Sequence, residues 1–496
     1  MDIKSLNKEQ RKAVEKVGGP MLVFAGAGSG KTRVLTYKIA HLIESVGLPP
    51  DNILAVTFTN KAAQEMKSRV FDLVESELDG ITIGTFHSIG AMILRKEIHL
   101  IDYENNFIIY DSADSKALIK KSIKELNLDI KMYNPKSMQA KISTAKNLLQ
   151  SPDDILELSN EREFIKKNFA DVYRMYQKKL KENNALDFDD LLILPLELFN
   201  NNKNRLEYYQ NKFQYVLVDE YQDTNKPQFE FIYLLTKNNN DIFVVGDDDQ
   251  SIYGWRGADI SNILNFNESF KNASIIKLEQ NYRSTKNILE GAWSVVSRNI
   301  NRSEKKLWTT NNNGEKIKII QGYDEKDESA KVFNEILKIK SENNALFKDF
   351  VILYRTNAQS RPIENTFMIN NMQNHYHIVG GTKFYDRKEI KDVLAYLRLL
   401  VNKKDSISFD RVVNFPPRGI GKTSIEKIYS SNINPLDAIK NIEHLNLGKK
   451  QKESFNDFND LIKLYSDKAI NEKPSQIVKD LIDDLKIKEF YENHQT

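Results

Sequence analysis

Met21-Leu22-Val23-Phe24-Ala25-Gly26-Ala27-Gly28-Ser29-Gly30-Lys31-Thr32 is a run of apolar residues that ends in a glycine-rich turn. Its length and its flanking turn signal are those of a buried strand, and a buried strand feeding a glycine turn at a helix start is the opening of an α/β unit. Counted from Ala25, the spacing is that of G-x-x-x-x-G-K-[ST], with alanine in the first place. Glycines let the backbone curl so that its N–H groups cradle phosphate. Lys31 then reaches the β and γ oxygens, and the Thr32 hydroxyl can bind Mg²⁺.

Working outward, apolar runs of similar length recur at residues 53–57, 81–84, 215–218 and 242–246, with amphipathic stretches between several of them. That is the pattern of a parallel sheet covered by helices. A second series at residues 275–278, 316–320, 350–354 and 375–379 predicts a second α/β lobe. Between about 102 and 186 the chain becomes rich in Lys and Glu with helical spacing, as at Ile119, Ile123 and Leu126, and reads as a helical insertion. After Asp386 the pattern is helical again.

Two of the runs end in acids. Tyr215-Val216-Leu217-Val218 is followed by Asp219 and Glu220. At a strand end the chain can turn both carboxylates into the crevice where open α/β sheets bind ligands. There Asp219 would hold Mg²⁺ and Glu220 would orient and deprotonate water. Alone, the pair is a solvated acidic turn; beside a phosphate loop it completes a hydrolysis site. The run 242–246 leads to Asp247-Asp248-Asp249-Gln250, with Gln250 placed as a γ-phosphate sensor. Three acids beside a triphosphate are an odd choice for binding, so some must face away, and they are not assigned as metal ligands.

Composition sets bounds on all this. The 496 residues are too many for one core, and 40% hydrophobic with 28% charged residues is ordinary for a folded chain. Lys plus Arg number 72 against 69 for Asp plus Glu, a net of +3, so any polyanion site must be local. Without cysteine there is no disulfide framework or thiolate metal site. The polar N-terminus and the lack of any long apolar run lead to the expectation of a cytoplasmic protein without membrane contact.

The residues together resemble the superfamily 1 helicases of the UvrD/PcrA/Rep family. The motifs, in order, are Leu6-Asn7-Lys8-Glu9-Gln10, the phosphate loop, Thr57-Phe58-Thr59-Asn60-Lys61-Ala62-Ala63, Gly84-Thr85-Phe86-His87-Ser88, Val218 through Asn225, Gly246 through Arg256, Gln280-Asn281-Tyr282-Arg283-Ser284, and Tyr354 through Arg361. The tract from Val379 to Asp392 and Pro416-Pro417-Arg418-Gly419-Ile420-Gly421 look closest to the PcrA/UvrD branch.

The resemblance implies two RecA-like P-loop lobes with helical insertions: a first lobe over 1–101 and 187–276, an insertion over 102–186, a second lobe over 277–385 and a helical subdomain over 386–496. It implies ATP and Mg²⁺ as ligands. Gln10 would read the adenine edge, Arg33 would add a nucleotide contact and Tyr282 would stack on adenine. Arg283 would come from the second lobe as an arginine finger. Single-stranded DNA would cross both lobes on Phe58, Phe188, Tyr253 and Trp255, with Asn60, His87, Arg256, Arg355 and Arg361 beside it. Stacking tolerates any base, so no overall basic excess is needed. Phe86 and Tyr221 are expected in the core or behind the site.

The activity implied is 3′ to 5′ translocation on single strands and unwinding of duplex at single-strand/duplex junctions, in repair or replication and alongside proteins of those pathways. The family's later motifs, a Gly-Leu-Glu-Phe tract and an Ala-Ile-Thr-Arg tract carrying a second arginine, have no match after Arg361. The chain therefore reads as truncated within the second lobe's helical subdomain, and nucleotide and DNA binding are expected to outlast hydrolysis and unwinding. The alternatives are the N-terminal part of an AddA/RecB-like helicase–nuclease and a nucleotide-switched DNA-binding module. The module would keep the aromatics and lose the hydrolytic residues, which are all present. A nucleotide kinase fits poorly, since Lys31 and Asp219 are far apart in sequence.

Overall fold

The computed structural model describes residues 2–75, 78–157, 164–379, 384–431 and 433–493. In chain order its strands are β1 (Met21–Ala25), β2 (Ile53–Thr57), β3 (Thr82–Thr85), β4 (Ile108–Ile109), β5 (Ala185–Leu186), β6 (Tyr215–Val218), β7 (Ile242–Gly246) and β8 (Ser274–Leu278). Six of them form one parallel sheet in the order β3-β2-β6-β7-β1-β8, while β4 and β5 pair with each other.

Strand alternation sorts the apolar residues onto two faces. Met21, Val23 and Ala25 pack with α1 (Lys8–Glu15), α2 (Lys31–Glu44) and α3 (Asn60–Leu73) through Val14, Val34, Ile39 and Met66. Leu22 and Phe24 face the other way, toward α4 (Phe86–Glu97) and the helix Asp190–Asn201, which supply Ile89, Ile93, Leu191 and Leu198. Both faces are buried, so the strands read as continuous apolar runs. The pairs Phe24 with Gly246 and Val56 with Val218 put the ends of β1, β7, β2 and β6 along one edge.

The segment between β4 and β5 is helical, with helices Ser112–Glu125, Pro135–Asn147 and Phe164–Glu182 around Ile119, Ile123, Tyr176 and Leu180. The β4–β5 pair that closes it was not anticipated. At its junction with the sheet, Lys146 is buried 2.7 Å from carboxylate oxygens of both Asp187 and Asp190. Those two acids also accept each other's backbone N–H, at 2.9 and 3.0 Å. Burial and the neighbouring Asp187 push the Asp190 carboxyl up to about 7.

The second series of strand expectations needs correction. Residues 275–278 lie in β8, which pairs with β1 in the first sheet, Leu22 opposite Ile275. Residues 316–320, 350–354 and 375–379 form no strand, and Ile319 and Leu353 are 90% and 86% exposed. Short extended pieces hold a ladder only with further strands and a covering face. Among the described residues, what organises this part of the chain is helix packing: Phe333 and Ile336 of Glu325–Asn343 against Phe367 of Ser360–Ile369.

From Lys388 onward helices surround Tyr396, Phe409, Phe458 and Tyr465. This unit meets the insertion through Arg398–Asp114 and Lys391–Asp111, each 2.7 Å, and Lys121–Asp410, 2.6 Å. Residues 380–383 of the tract singled out in the sequence lie outside the described residues. Among those described, no helix is long and apolar enough to cross a membrane.

Because Lys146 is the shared counter-ion of two buried acids, Lys146→Met is expected to lower unfolding free energy by about 3–5 kcal/mol. Chemical denaturation checks this, and a variant as stable as the parent would remove Lys146 as the anchor of the insertion.

Candidate nucleotide site and nucleic-acid interface

The loop from Gly26 to Gly30 leaves β1 and enters α2 with Gly28 and Gly30 at φ of 69° and 91°. A residue with a Cβ is strained there. Ser29 is buried with its Oγ unpartnered, and Lys31 and Thr32, the first residues of α2, are half-buried beside it. Successive N–H groups in such a turn, at the positive end of a helix, form a concave anion site. An orphaned hydroxyl and a cradle that side chains would fill fit a phosphate chain.

Asp219 and Glu220 stand at the end of β6. The Asp219 N–H donates to the Val56 carbonyl at 2.9 Å, which keeps it in line with the sheet. Glu220 then adopts φ 50°, a left-handed conformation that costs a non-glycine residue on the order of 1–3 kcal/mol. That turn aims the Glu220 carboxylate at the phosphate loop, where it meets the Lys31 ammonium at 2.7 Å. Burial, then the charge of Glu220, pushes the Asp219 carboxyl up to about 6, against the opposing pull of Lys31. A buried acid held partly un-ionised gains from a cation, which suits a divalent ion bound beside phosphate.

Gln222 joins the two acidic motifs. Its amide donates to Glu220 at 2.9 Å, and its carbonyl oxygen accepts from the Asp247 N–H at 2.9 Å. Gln250 in turn donates to Asp247 at 2.5 Å. The three acids after β7 are held by protein cations: Lys305 contacts Asp247, Asp248 and Asp249, and Arg302 forks onto Asp249 at 2.8 and 2.9 Å. Gln222, Lys305 and Arg302 were not anticipated as site residues. Gln222 lies in a motif already singled out, whereas nothing in the sequence links Lys305 to acids more than fifty positions away.

Arg283 lies a few residues past β8, in a stretch that packs on the phosphate loop so that a Cβ on Gly28 would meet the Arg283 Cβ. The Tyr282 N–H donates to the Gly28 carbonyl at 3.0 Å, and Asn281 Nδ2 to the Ala27 carbonyl at 2.5 Å. Tyr282 is half exposed, with its hydroxyl accepting from Asn7 at 2.7 Å. Gln10 is buried. Its amide donates to the Ser29 carbonyl at 2.9 Å and accepts from the Asn7 N–H at 3.1 Å, so in this arrangement it buttresses the loop. Arg33 is exposed and donates to Ser5 Oγ at 2.9 Å.

The aromatic residues gather beside this site. Phe58 stacks on Tyr253 at 6.3 Å between centroids, and Tyr253 neighbours Trp255 at 6.4 Å. The Arg256 guanidinium lies over both rings, at 4.9 and 4.5 Å. Trp255 and Phe188 are 69% and 56% exposed. Phe188 packs against His87 at 5.7 Å, and burial holds the His87 imidazole below its ordinary value. Asn60 is exposed at the first position of α3. Arg355 and Arg361 are exposed on a later segment, and no contact among the described residues ties them to the aromatic row. Phe86 and Tyr221 are buried, as expected for core groups.

Residues 6–271 match the family model of the UvrD/REP helicase N-terminal domain, and residues 276–495 that of the UvrD-like helicase C-terminal domain. The chain is 47% identical over 493 residues to the ATP-dependent DNA helicase PcrA of Staphylococcus epidermidis, covering 99% of this chain and 66% of that protein. To the protein of the same name in Staphylococcus aureus it is 46% identical over 490 residues, 98% of this chain and 66% of that one. It therefore spans just under two thirds of the length of these relatives.

The Asp219 carboxyl carries a stability prediction. Its folded-state value is raised, so the stabilisation from its protonated form is present in full below about pH 4 and lost as pH rises through about 6. Asp219→Asn is fixed in the neutral form. It should match the parent near pH 4 and exceed it at pH 7.5, by on the order of 1–3 kcal/mol. Thermal melts at the two pH values check this, and an equal difference at both would remove the burial argument.

Proposed function

The chain belongs to the UvrD/Rep family of helicases, and from that premise we propose that it binds ATP with Mg²⁺ at the glycine loop and couples its hydrolysis to movement along single-stranded DNA. The observation that carries this reading is the Lys31–Glu220 pair at the glycine loop, linked through Gln222 and Asp247 to Gln250, with Arg283 packed against Gly28 and the exposed Trp255 on the same short stretch as Gln250.

In this reading Lys31 leaves Glu220 for the β and γ oxygens, and the freed carboxylate orients water and accepts its proton. Thr32 and Asp219 would hold Mg²⁺, which when bound neutralises charge on the phosphates. Arg283 stabilises charge on the transferred γ-phosphoryl, and Gln250 senses its presence. Ala25, Gly26, Ala27, Gly28, Ser29 and Gly30 hold the phosphates, Tyr282 offers a ring for adenine, and Gln10 and Arg33 stand at the same end. Phe58, Phe188, Tyr253 and Trp255 stack bases, with Asn60, His87, Arg256, Arg355 and Arg361 for backbone and base contacts. Single-strand/duplex junctions, 3′ to 5′ polarity, a cytoplasmic location and work with repair or replication proteins belong to the same proposal.

Lys31→Ala is expected to abolish ATP hydrolysis and weaken triphosphate binding while single-stranded DNA affinity without nucleotide stays unchanged, because cradle and groove are separate surfaces. Filter binding and phosphate release measure the two; equal loss of both in a folded variant would count against the reading. Trp255→Ala should weaken single-stranded DNA binding by roughly 1–3 kcal/mol with little dependence on base sequence. In a protein with Trp293 and Trp308 replaced by Phe, oligonucleotide should quench the remaining emission. Unchanged DNA affinity with a sharply lowered melting temperature would move Trp255 to a structural role.

A further inference from the structure

Residues 302–308 touch the phosphate loop, the acid turn after β7 and the stretch that leads to Arg283. The Lys305 ammonium is buried 2.9 Å from Asp247 Oδ1 and 3.0 Å from Asp249 Oδ2, and it also bonds Asp248. Ser303 donates its N–H and its hydroxyl to Asp248 at 2.6 and 2.8 Å. Leu307 lies over the phosphate loop so closely that a Cβ on Gly26 would fall 2.2 Å from its Cδ2. The Trp308 N–H donates to the Glu279 carbonyl at 3.0 Å, and its own carbonyl accepts the Asn281 N–H at 2.8 Å. Asn281 then accepts the N–H groups of Arg283 and Ser284 at 2.9 and 2.7 Å.

We propose that residues 302–308 are the positioning element for the γ-phosphate contacts, with Lys305 as its anchor. The inference rests on the reading that the glycine loop holds a nucleoside triphosphate. One end of the segment sets Gln250: Lys305 holds one oxygen of Asp247, and the other oxygen accepts from the Gln250 amide. The other end sets Arg283 through Trp308 and Asn281. Both γ-phosphate groups thus take their place from a single piece of chain.

A simpler role for Lys305 is charge neutralisation, since three acids cannot be buried together without a cation. The bonding pattern separates the two roles. Asp248 is also held by Ser303 and Asp249 by Arg302, whereas among the described residues the Asp247 oxygen on Lys305 has besides it only the Asp249 backbone N–H at 3.2 Å, so Asp247, the acid that carries Gln250, has no second side chain to replace Lys305. A lysine that only neutralised charge could be replaced by removing an acid. A positioning lysine could not.

The test uses the whole chain and reads binding rather than turnover: fluorescence titration with ADP and with the non-hydrolysable triphosphate adenylyl imidodiphosphate. In the double variant Lys305→Met with Asp248→Asn, one charge is removed from each side and Arg302 still holds Asp249. Affinity for ADP should match the parent while affinity for the triphosphate falls about 10-fold, the worth of a hydrogen bond to a charged group. If the ratio of the two affinities is the parent's, or both fall together, the inference is overturned. Should the double variant fail to fold, Asp247→Asn keeps Lys305 on Asp248 and Asp249, and it must show the same selective loss; an unchanged ratio there overturns the inference equally. A parent chain that binds neither nucleotide overturns the nucleotide reading itself, and this inference with it.

Discussion

Parallel pairing of β1 with β7 on one side and β8 on the other brings every chemically active segment to the same edge of the sheet. In a parallel sheet all strands end at one side, and a loop that leaves a strand there has nowhere to go but the crevice above it. The phosphate loop leaves β1, the Asp-Glu pair leaves β6, the acid-rich turn leaves β7 and Arg283 follows β8. A shift of register by one residue in any of these pairs would turn its buried residues to the opposite face and misplace the loop above it. Burial on both faces is what fixes the register, so the site depends on the core.

Two buried lysines meet the same electrostatic demand in different places. Lys146 stands between Asp187 and Asp190, and Lys305 between Asp247, Asp248 and Asp249. Each joins a distant part of the chain to a sheet loop by charges that hydrophobic packing could not direct. Such clusters add little net stability, because desolvation offsets much of the attraction, but an unpaired member is costly and so the arrangement is specific. At Lys146 the result is that Phe188, between the two paired acids, is turned outward. The strain at Glu220 belongs to the same economy of position: a left-handed turn is tolerated because it points a carboxylate at Lys31.

How far the sequence could be read follows from the range of the interactions. The strands of the first sheet were legible because both of their faces are buried, and the glycine loop because its conformation restricts residue type at Gly28 and Gly30. The exposed platform was legible only through motif resemblance, since an aromatic such as Trp255 carries no local sign of exposure. Residues 316–320 and 350–354 have the apolar content and length of strands, yet such a run becomes a strand only where neighbours supply hydrogen bonds, and that information is not local. Lys305 and Gln222 were missed for a related reason. Their partners are set by tertiary contact, and in the sequence each is one polar residue among many. The fate of Gln10 was hidden too, because an amide suited to an adenine edge is equally suited to a peptide carbonyl.

The geometry also bears on how one site could inform the other. Lys31 and Glu220 neutralise each other at 2.7 Å, and Glu220 shares Gln222 with the Asp247 turn. A phosphate chain that draws Lys31 away leaves Glu220 with the Gln222 amide as its remaining hydrogen-bonded partner, so the load on Gln222 changes. Gln222 carries Asp247 on its other end, Asp247 carries Gln250, and the loop from Gln250 leads within a few residues to Tyr253 and Trp255. The path from loop to platform is therefore a chain of direct hydrogen bonds followed by covalent backbone, with no solvent gap in it. Lys305 holds the middle of that path to the segment that also seats Arg283. A change in charge at the phosphate loop is thus felt first by the groups that would touch the γ-phosphate, and only then by the rings that would hold a base.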